Sequence, residues 1–135
     1  MGKFKDLRVW NDGMELAEKI YAITKLPAFS KDFGLTNQIT RACISVPSNI
    51  AEGDERGTNR EAVHFFNIAK GSAAEIITQL NLAHRIGYID KDTLNQLEDQ
   101  AEKVRASLKK LIQARGGKNP LPLVGWFLVS IVNTI

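Results

Sequence analysis

"SVPSNIAEGDERG", Ser45 to Gly57, decides how this chain is read. It follows an apolar-periodic run with the spacing of a helix. Pro47 then stands where the helix should continue, yet Asn49, Glu52 and Arg56 keep helical spacing beyond it. A proline inside a helix removes one N–H donor and crowds the carbonyl four residues earlier, here that of Cys43, at about 3 kcal/mol. One solution ends a helix near Ser45 and restarts another with Pro47 in its first turn. The other is a single helix that kinks. The retained polar register favours the kinked continuous helix, with Ser45 or Ser48 taking up freed backbone groups.

Helical periodicity extends to both sides. A first helix is predicted over about Val9 to Lys25, with Met14, Ala17, Ile20, Tyr21 and Thr24 on one side, before Pro27 breaks it. The second begins near Phe33 and carries Leu35, Ile39, Ala42, Val46 and Ile50 as an apolar stripe. In the third, Thr58 and Glu61 have the spacing of a capping box. Ala62, Phe65, Phe66, Ala69, Ala73, Ile76, Leu80 and Ala83 follow, up to Gly87. Asp90 is the N-cap expected for a fourth, with Leu94, Leu97, Ala101, Val104, Leu108 and Leu111 ahead of Gly116 and Gly117. Short connections make neighbours antiparallel. The expected fold is all-α: an up-and-down antiparallel four-helix bundle over residues 1–117, with a kinked second helix.

The second helix has another stripe beside the apolar one. Gln38, Arg41, Ser45, Ser48 or Asn49, and Glu52 recur every three or four residues, and Ser72, Glu75 and Gln79 match them on the third helix. One reading is a wet face with intrahelical bonds worth about 0.2–0.5 kcal/mol each. The other is a polar seam, partly buried against another subunit and including Arg56. It needs a carboxylate for Arg41, with Glu75 the first candidate and Glu52 the second.

"FKDLRVW" (Phe4 to Trp10), "FGLTNQITRACISVPSNIAEGDERG" (Phe33 to Gly57) and "FFNIAKGSAAEIITQLNLAHRIGYI" (Phe65 to Ile89) carry a resemblance. They resemble the bacterial four-helix-bundle proteins encoded in intervening sequences of the 23S ribosomal RNA gene, over about Phe4 to Arg115. The most specific block is Ser45 to Gly53, followed by Arg56 and Gly57. The resemblance implies a four-helix bundle assembling into a homopentameric ring, without enzymatic activity. Some relatives accompany the reverse transcriptase of diversity-generating retroelements and bind RNA through a basic surface. Many members have two consecutive arginines where this chain has Thr40-Arg41.

Composition agrees with one ordinary globular domain: 135 residues, 44% hydrophobic and 24% charged. The net charge of +3 permits an anionic partner without requiring one. Cys43 is the one cysteine, flanked by Ala42 and Ile44, and reads as a small core residue. "MGKFKDLRVW" lacks the apolar stretch of a signal peptide, so cytoplasmic residence without a membrane is expected. No catalytic residue and no cofactor is predicted. His64 and His84 have no metal-site spacing, and one cysteine cannot complete a zinc site. Gly53 and Gly57 read as chain-reversal residues in a hydrated turn, with Asp54 and Glu55 beside them.

The positive charge in excess lies in the first and last parts of the main body. From Lys91 to Lys118 there are seven Lys/Arg against four Asp/Glu. Lys103, Arg105, Lys109, Lys110 and Arg115 are the candidate nucleic-acid contacts, helped by Lys118, Lys3, Lys5 and Arg8. No aromatic residue interleaves them, so phosphate-dominated contact with RNA or DNA is what they imply. Two functions stay open: a nucleic-acid-binding ring, or a protein-interaction scaffold without that affinity. Asn119 to Ile135 holds no charged residue. Residues 118–135 read as an atypical apolar extension, too short for an untilted membrane-spanning helix of about 20 residues.

Overall fold

The structure is a computed structural model that describes residues 2–116. The expected extension at 118–135, Lys118 and the end of the 1–117 domain lie outside the described residues. A 3₁₀ turn at Phe4–Asp6 precedes α1 (Arg8–Ile23), the single-turn α2 (Pro27–Ser30), α3 (Phe33–Asp54), α4 (Asn59–Arg85) and α5 (Lys91–Ala114). Four long helices close a ring of neighbours: α1 touches α3 and α5, α3 touches α4, and α4 touches α5. Gly13 of α1 meets Val46 and Pro47 of α3, while Gly2 meets Asp54. The start of α1 therefore lies beside the end of α3, as up-and-down topology requires.

The caps follow the sequence. Asp32 accepts from the Leu35 N–H at 3.0 Å, Thr58 from Glu61 at 3.2 Å, and Asp90 from Thr93 at 2.8 Å. Each satisfies an amide that the first turn leaves without a helical partner. Gly87, at φ 86°, ends α4. Its N–H donates to the His84 carbonyl, and the Tyr88 N–H donates to the Ala83 carbonyl at 2.8 Å, a Schellman stop that needs a left-handed residue.

Pro47 lies inside α3, which runs unbroken from Phe33 to Asp54. This answers the contradiction in Ser45–Gly57: the polar face keeps its register because the helix does not end. The proline is buried. A Cβ on Gly13 would lie 3.2 Å from Val46 Cγ1 and 3.8 Å from Pro47 Cδ. The missing donor thus faces a neighbouring helix that comes close at a glycine. Neither expected serine compensates the backbone there: Ser45 Oγ pairs with Ser72 Oγ at 2.7 Å instead.

The core is continuous across all the helices. It includes Leu16, Ile20, Phe29, Ile39, Val46, Ile50, Phe66, Ile76, Leu80, Leu97, Val104 and Leu108. Ala62, Ala69, Ala73 and Ala83 are fully buried on α4. Small side chains on this face leave room for its neighbours while removing apolar area from water at about 25 cal/mol per Å². The first helix is rotated from the sequence expectation. Val9, Gly13, Leu16 and Ile20 point inward. Met14 and Tyr21 are 37% and 41% exposed. Ile20 and Thr24 of the expected stripe are buried as expected, while a glycine at the inner face carried no hydrophobic signal, which drew the rest of the stripe toward the flank of Met14 and Tyr21.

Candidate interaction site

The α3–α4 polar stripe is partly a real seam. Ser45 Oγ and Ser72 Oγ are bonded, with Ser72 only 5% exposed. Asn49 Nδ2 donates to Ser45 Oγ at 2.9 Å and to the Ser45 carbonyl at 2.8 Å. Gln79 is half-buried, and its Oε1 has no hydrogen-bond partner among the described residues. Small hydroxyls meet where two helices are too close for longer side chains, and each satisfies the other.

The charged members behave differently. Gln38, Arg41 and Glu75 are exposed, and no ion pair joins Arg41 to Glu75 among the described residues. The expected buried Arg41 pair is therefore absent from the single chain. Both side chains leave the seam for water, where each keeps its hydration without a partner. Glu52 pairs with Arg56, one turn along the same helix end. The Arg56 guanidinium also lies over the Phe65 ring, 4.6 Å from its centroid.

The basic residues of α5 are largely spoken for. Lys103 Nζ lies 3.1 Å from Asp99, and Arg105 Nη1 lies 3.2 Å from Glu102. Helical spacing of three and four residues brings these charges together. Arg115 is half-buried: it donates to Asp54 Oδ1 at 3.0 Å and lies over Phe66, 5.6 Å from the ring centroid. That pair ties the end of α5 to the end of α3. Lys109 and Lys110 are exposed and enter no ion pair among the described residues. Lys3 and Lys5 are exposed as well, while Arg8 reaches Asp12 at 4.0 Å.

Sequence reading missed Asp54. It is 7% exposed, not part of a hydrated turn. Gly53 was missed for the same reason and is helical, not a reversal point. Spacing held a signal: both residues fall on the inward side, three and four positions after Ile50.

It also missed an apolar concavity between α1 and α3. Trp10, Met14, Ala17 and Tyr21 of α1 face Ile44, Pro47, Ser48 and Ala51 of α3 across a groove of about 640 Å³, with Glu18 at its edge. Ile44 is 47% exposed. Cys43 lies beside this surface in sequence but points inward, and burial pushes its thiol up to about 11. Among the described residues there is no group of three or more His, Cys, Asp or Glu that could hold a metal ion. No helix among them is long and apolar enough to cross a membrane.

Fold and surfaces together define an all-α four-helix bundle with an apolar groove along one side. The model of the 23S rRNA-intervening sequence protein family matches residues 5–110, and the chain belongs to that family. A solved structure from Bacteroides thetaiotaomicron, described as a protein of unknown function from the S23 ribosomal protein family, is similar. It is 26% identical with a TM-score of 0.73, covering 77% of this chain and 97% of that one. No curated protein matches the chain.

Proposed function

We propose that the protein is a non-enzymatic bundle that works as a homo-oligomer, with a second copy seated on the α1–α3 groove. The observation that carries this reading is the groove itself. Met14, Tyr21 and Ile44 are large apolar residues exposed around one concavity. A contiguous apolar surface of this kind marks a contact site more often than an idle one. Cyclic assembly lets a single patch be covered in every subunit, and the family resemblance sets the expected number at five. Light scattering coupled to size exclusion tests it: a mass near five chains is expected, and Ile44→Glu with Tyr21→Lys should return a folded monomer. A wild-type monomer at micromolar concentration overturns the reading.

Nucleic-acid contact is a second reading, favoured by Lys109 and Lys110, exposed and outside every ion pair among the described residues. Repetition around a ring would add their fields. Binding to generic RNA should then weaken steeply between low and physiological salt. Absence of binding at low salt leaves the alternative, a protein-interaction scaffold.

A further inference from the structure

Gly71 is a glycine that the single chain does not explain. It lies inside α4, exposed, and a Cβ built on it meets nothing within 4 Å. Glycine inside a helix is less favourable than alanine, so an idle surface gains nothing from it. Gly13 and Gly53, by contrast, each sit where a neighbouring helix comes close. The surface around Gly71 is also apolar. Ile68, Gly71, Glu75 and Leu82 are three, four and seven residues apart on one face of α4, and Ile86 continues that face at the cap. Ile68, Leu82 and Ile86 are all exposed.

α3 carries a second exposed stripe. Phe33, Asn37, Arg41, Ile44 and Ser48 are three or four residues apart, and Ile44 and Ser48 line the α1–α3 groove. Phe33 is 75% exposed. Each stripe bears one charge without an ion pair among the described residues: Arg41 on α3 and Glu75 on α4. Laid antiparallel with these two charges opposed, the stripes agree in register. Gly71, four residues before Glu75, falls opposite Ile44, three after Arg41. Ile68, seven before, falls opposite Ser48, seven after. Leu82, seven after, falls opposite Phe33, eight before. No step differs by more than one residue, or about 1.5 Å of helix.

We propose that the Ile68–Leu82 face of α4 in one copy packs antiparallel on the Phe33–Ser48 stripe of α3 in the next, with Ile44 over Gly71 and Glu75 paired to Arg41 of the partner subunit. This rests on the second copy assigned to the groove and names the part of that copy that seats there. The two surfaces are different, so the contact is heterologous: each copy offers one surface and receives the other. The absent side chain at Gly71 lets a protruding isoleucine reach the helix backbone. The opposed charges fix the register. Within one chain both remain in water; assembly brings them together.

Light scattering coupled to size exclusion, on the full chain, reads the contact. Gly71→Trp fills the notch and meets little of its own chain, since that position is open. Glu75→Arg sets like charge against the partner's Arg41. Each variant should fall to the mass of one chain, with the helical circular dichroism retained. Arg41→Glu added to Glu75→Arg should restore the wild-type mass. Gly71→Trp keeps its own α3 stripe and Ile44→Glu keeps its own α4 face. Mixed at raised concentration, these two variants should therefore form one productive contact and give a mass of two chains. Wild-type mass kept by either single variant, a charge swap that restores nothing, or a mixture that stays at one chain overturns the proposal while the groove reading stands. A wild-type monomer overturns the groove reading and the proposal with it.

Discussion

Gly53 has no side chain where Phe66 has its ring: a Cβ there would lie 2.6 Å from Phe66 Cε1 and 3.0 Å from the Ala62 carbonyl oxygen. The glycine lets the end of α3 and the start of α4 close onto each other, and Phe66 is fully buried as a result. Gly53→Val should therefore destabilise the fold by about 1–3 kcal/mol, the cost of overpacking a tight site. Gly71 is the contrast, helical and with nothing within 4 Å of a Cβ built on it. Gly71→Ala should raise stability by about 0.5–1 kcal/mol through helix propensity alone. Urea unfolding of both variants checks the pair, and equal effects of one sign would contradict it.

Tyr88 donates its hydroxyl to Asp32 Oδ2 at 2.9 Å, joining the end of α4 to the start of α3. The Leu35 amide first, and then this hydroxyl, hold the Asp32 carboxyl below its ordinary value. The Asp32 hydrogen bond in turn raises the Tyr88 phenol above its own. A depressed carboxylate contributes stability above its unfolded value of about 3.9, lost as pH falls through the folded one. A raised phenol contributes below its unfolded value of about 10, lost as pH rises through the folded one. Tyr88→Phe should move the Asp32 midpoint upward, partway to the ordinary value, because the Leu35 bond remains. Carboxyl carbon NMR across the acid range reads this directly.

Cys43 is 1% exposed, and burial keeps its thiol protonated at neutral pH. The thiolate is the reacting form. In the folded protein at pH 8, a disulfide reagent should label it only as fast as the chain opens. Addition of urea should speed labelling by orders of magnitude. Immediate labelling without denaturant would show that α3 does not turn this residue inward.

Arg41 is exposed within the single chain. Arg41→Ala should change intrinsic stability by no more than about 0.5 kcal/mol, the usual range for surface sites. Its measurement needs two readouts, denaturant unfolding and oligomer mass. A drop in mass with unfolding unchanged would place Arg41 at a subunit boundary; a loss of several kcal/mol would mean that it is buried against a carboxylate after all.

Charge reversal at Lys109 and Lys110 should weaken RNA binding and flatten its salt dependence, since a phosphate that no lysine neutralises keeps its condensed counterions. The Arg115→Met variant should act on stability instead, because its guanidinium is committed to Asp54 and Phe66. Fluorescence anisotropy with generic RNA, beside thermal unfolding, separates the two effects.

Local rules made much of this chain legible before any tertiary contact was known. The caps at Thr58 and Asp90, the stop at Gly87 and the inward stripes of α3, α4 and α5 depend on residues within one or two turns of each other. Such bonds form wherever the helix forms, so spacing alone reveals them. The polar register across Pro47 likewise showed that α3 continues. Contacts between helices were decided elsewhere. Gly13 and Gly53 carry no hydrophobic signal, yet each sits where a neighbour approaches, and at Gly13 that approach set which face of α1 turned inward. Asp54 read as a solvated acid until Arg115, at the far end of the bundle sequence, closed over it. Arg41 and Glu75 had complementary charge and matching spacing but remain in water. Charge and periodicity state what a side chain can do; the distance between helices, a sum over the whole core, selects which of those possibilities is realised.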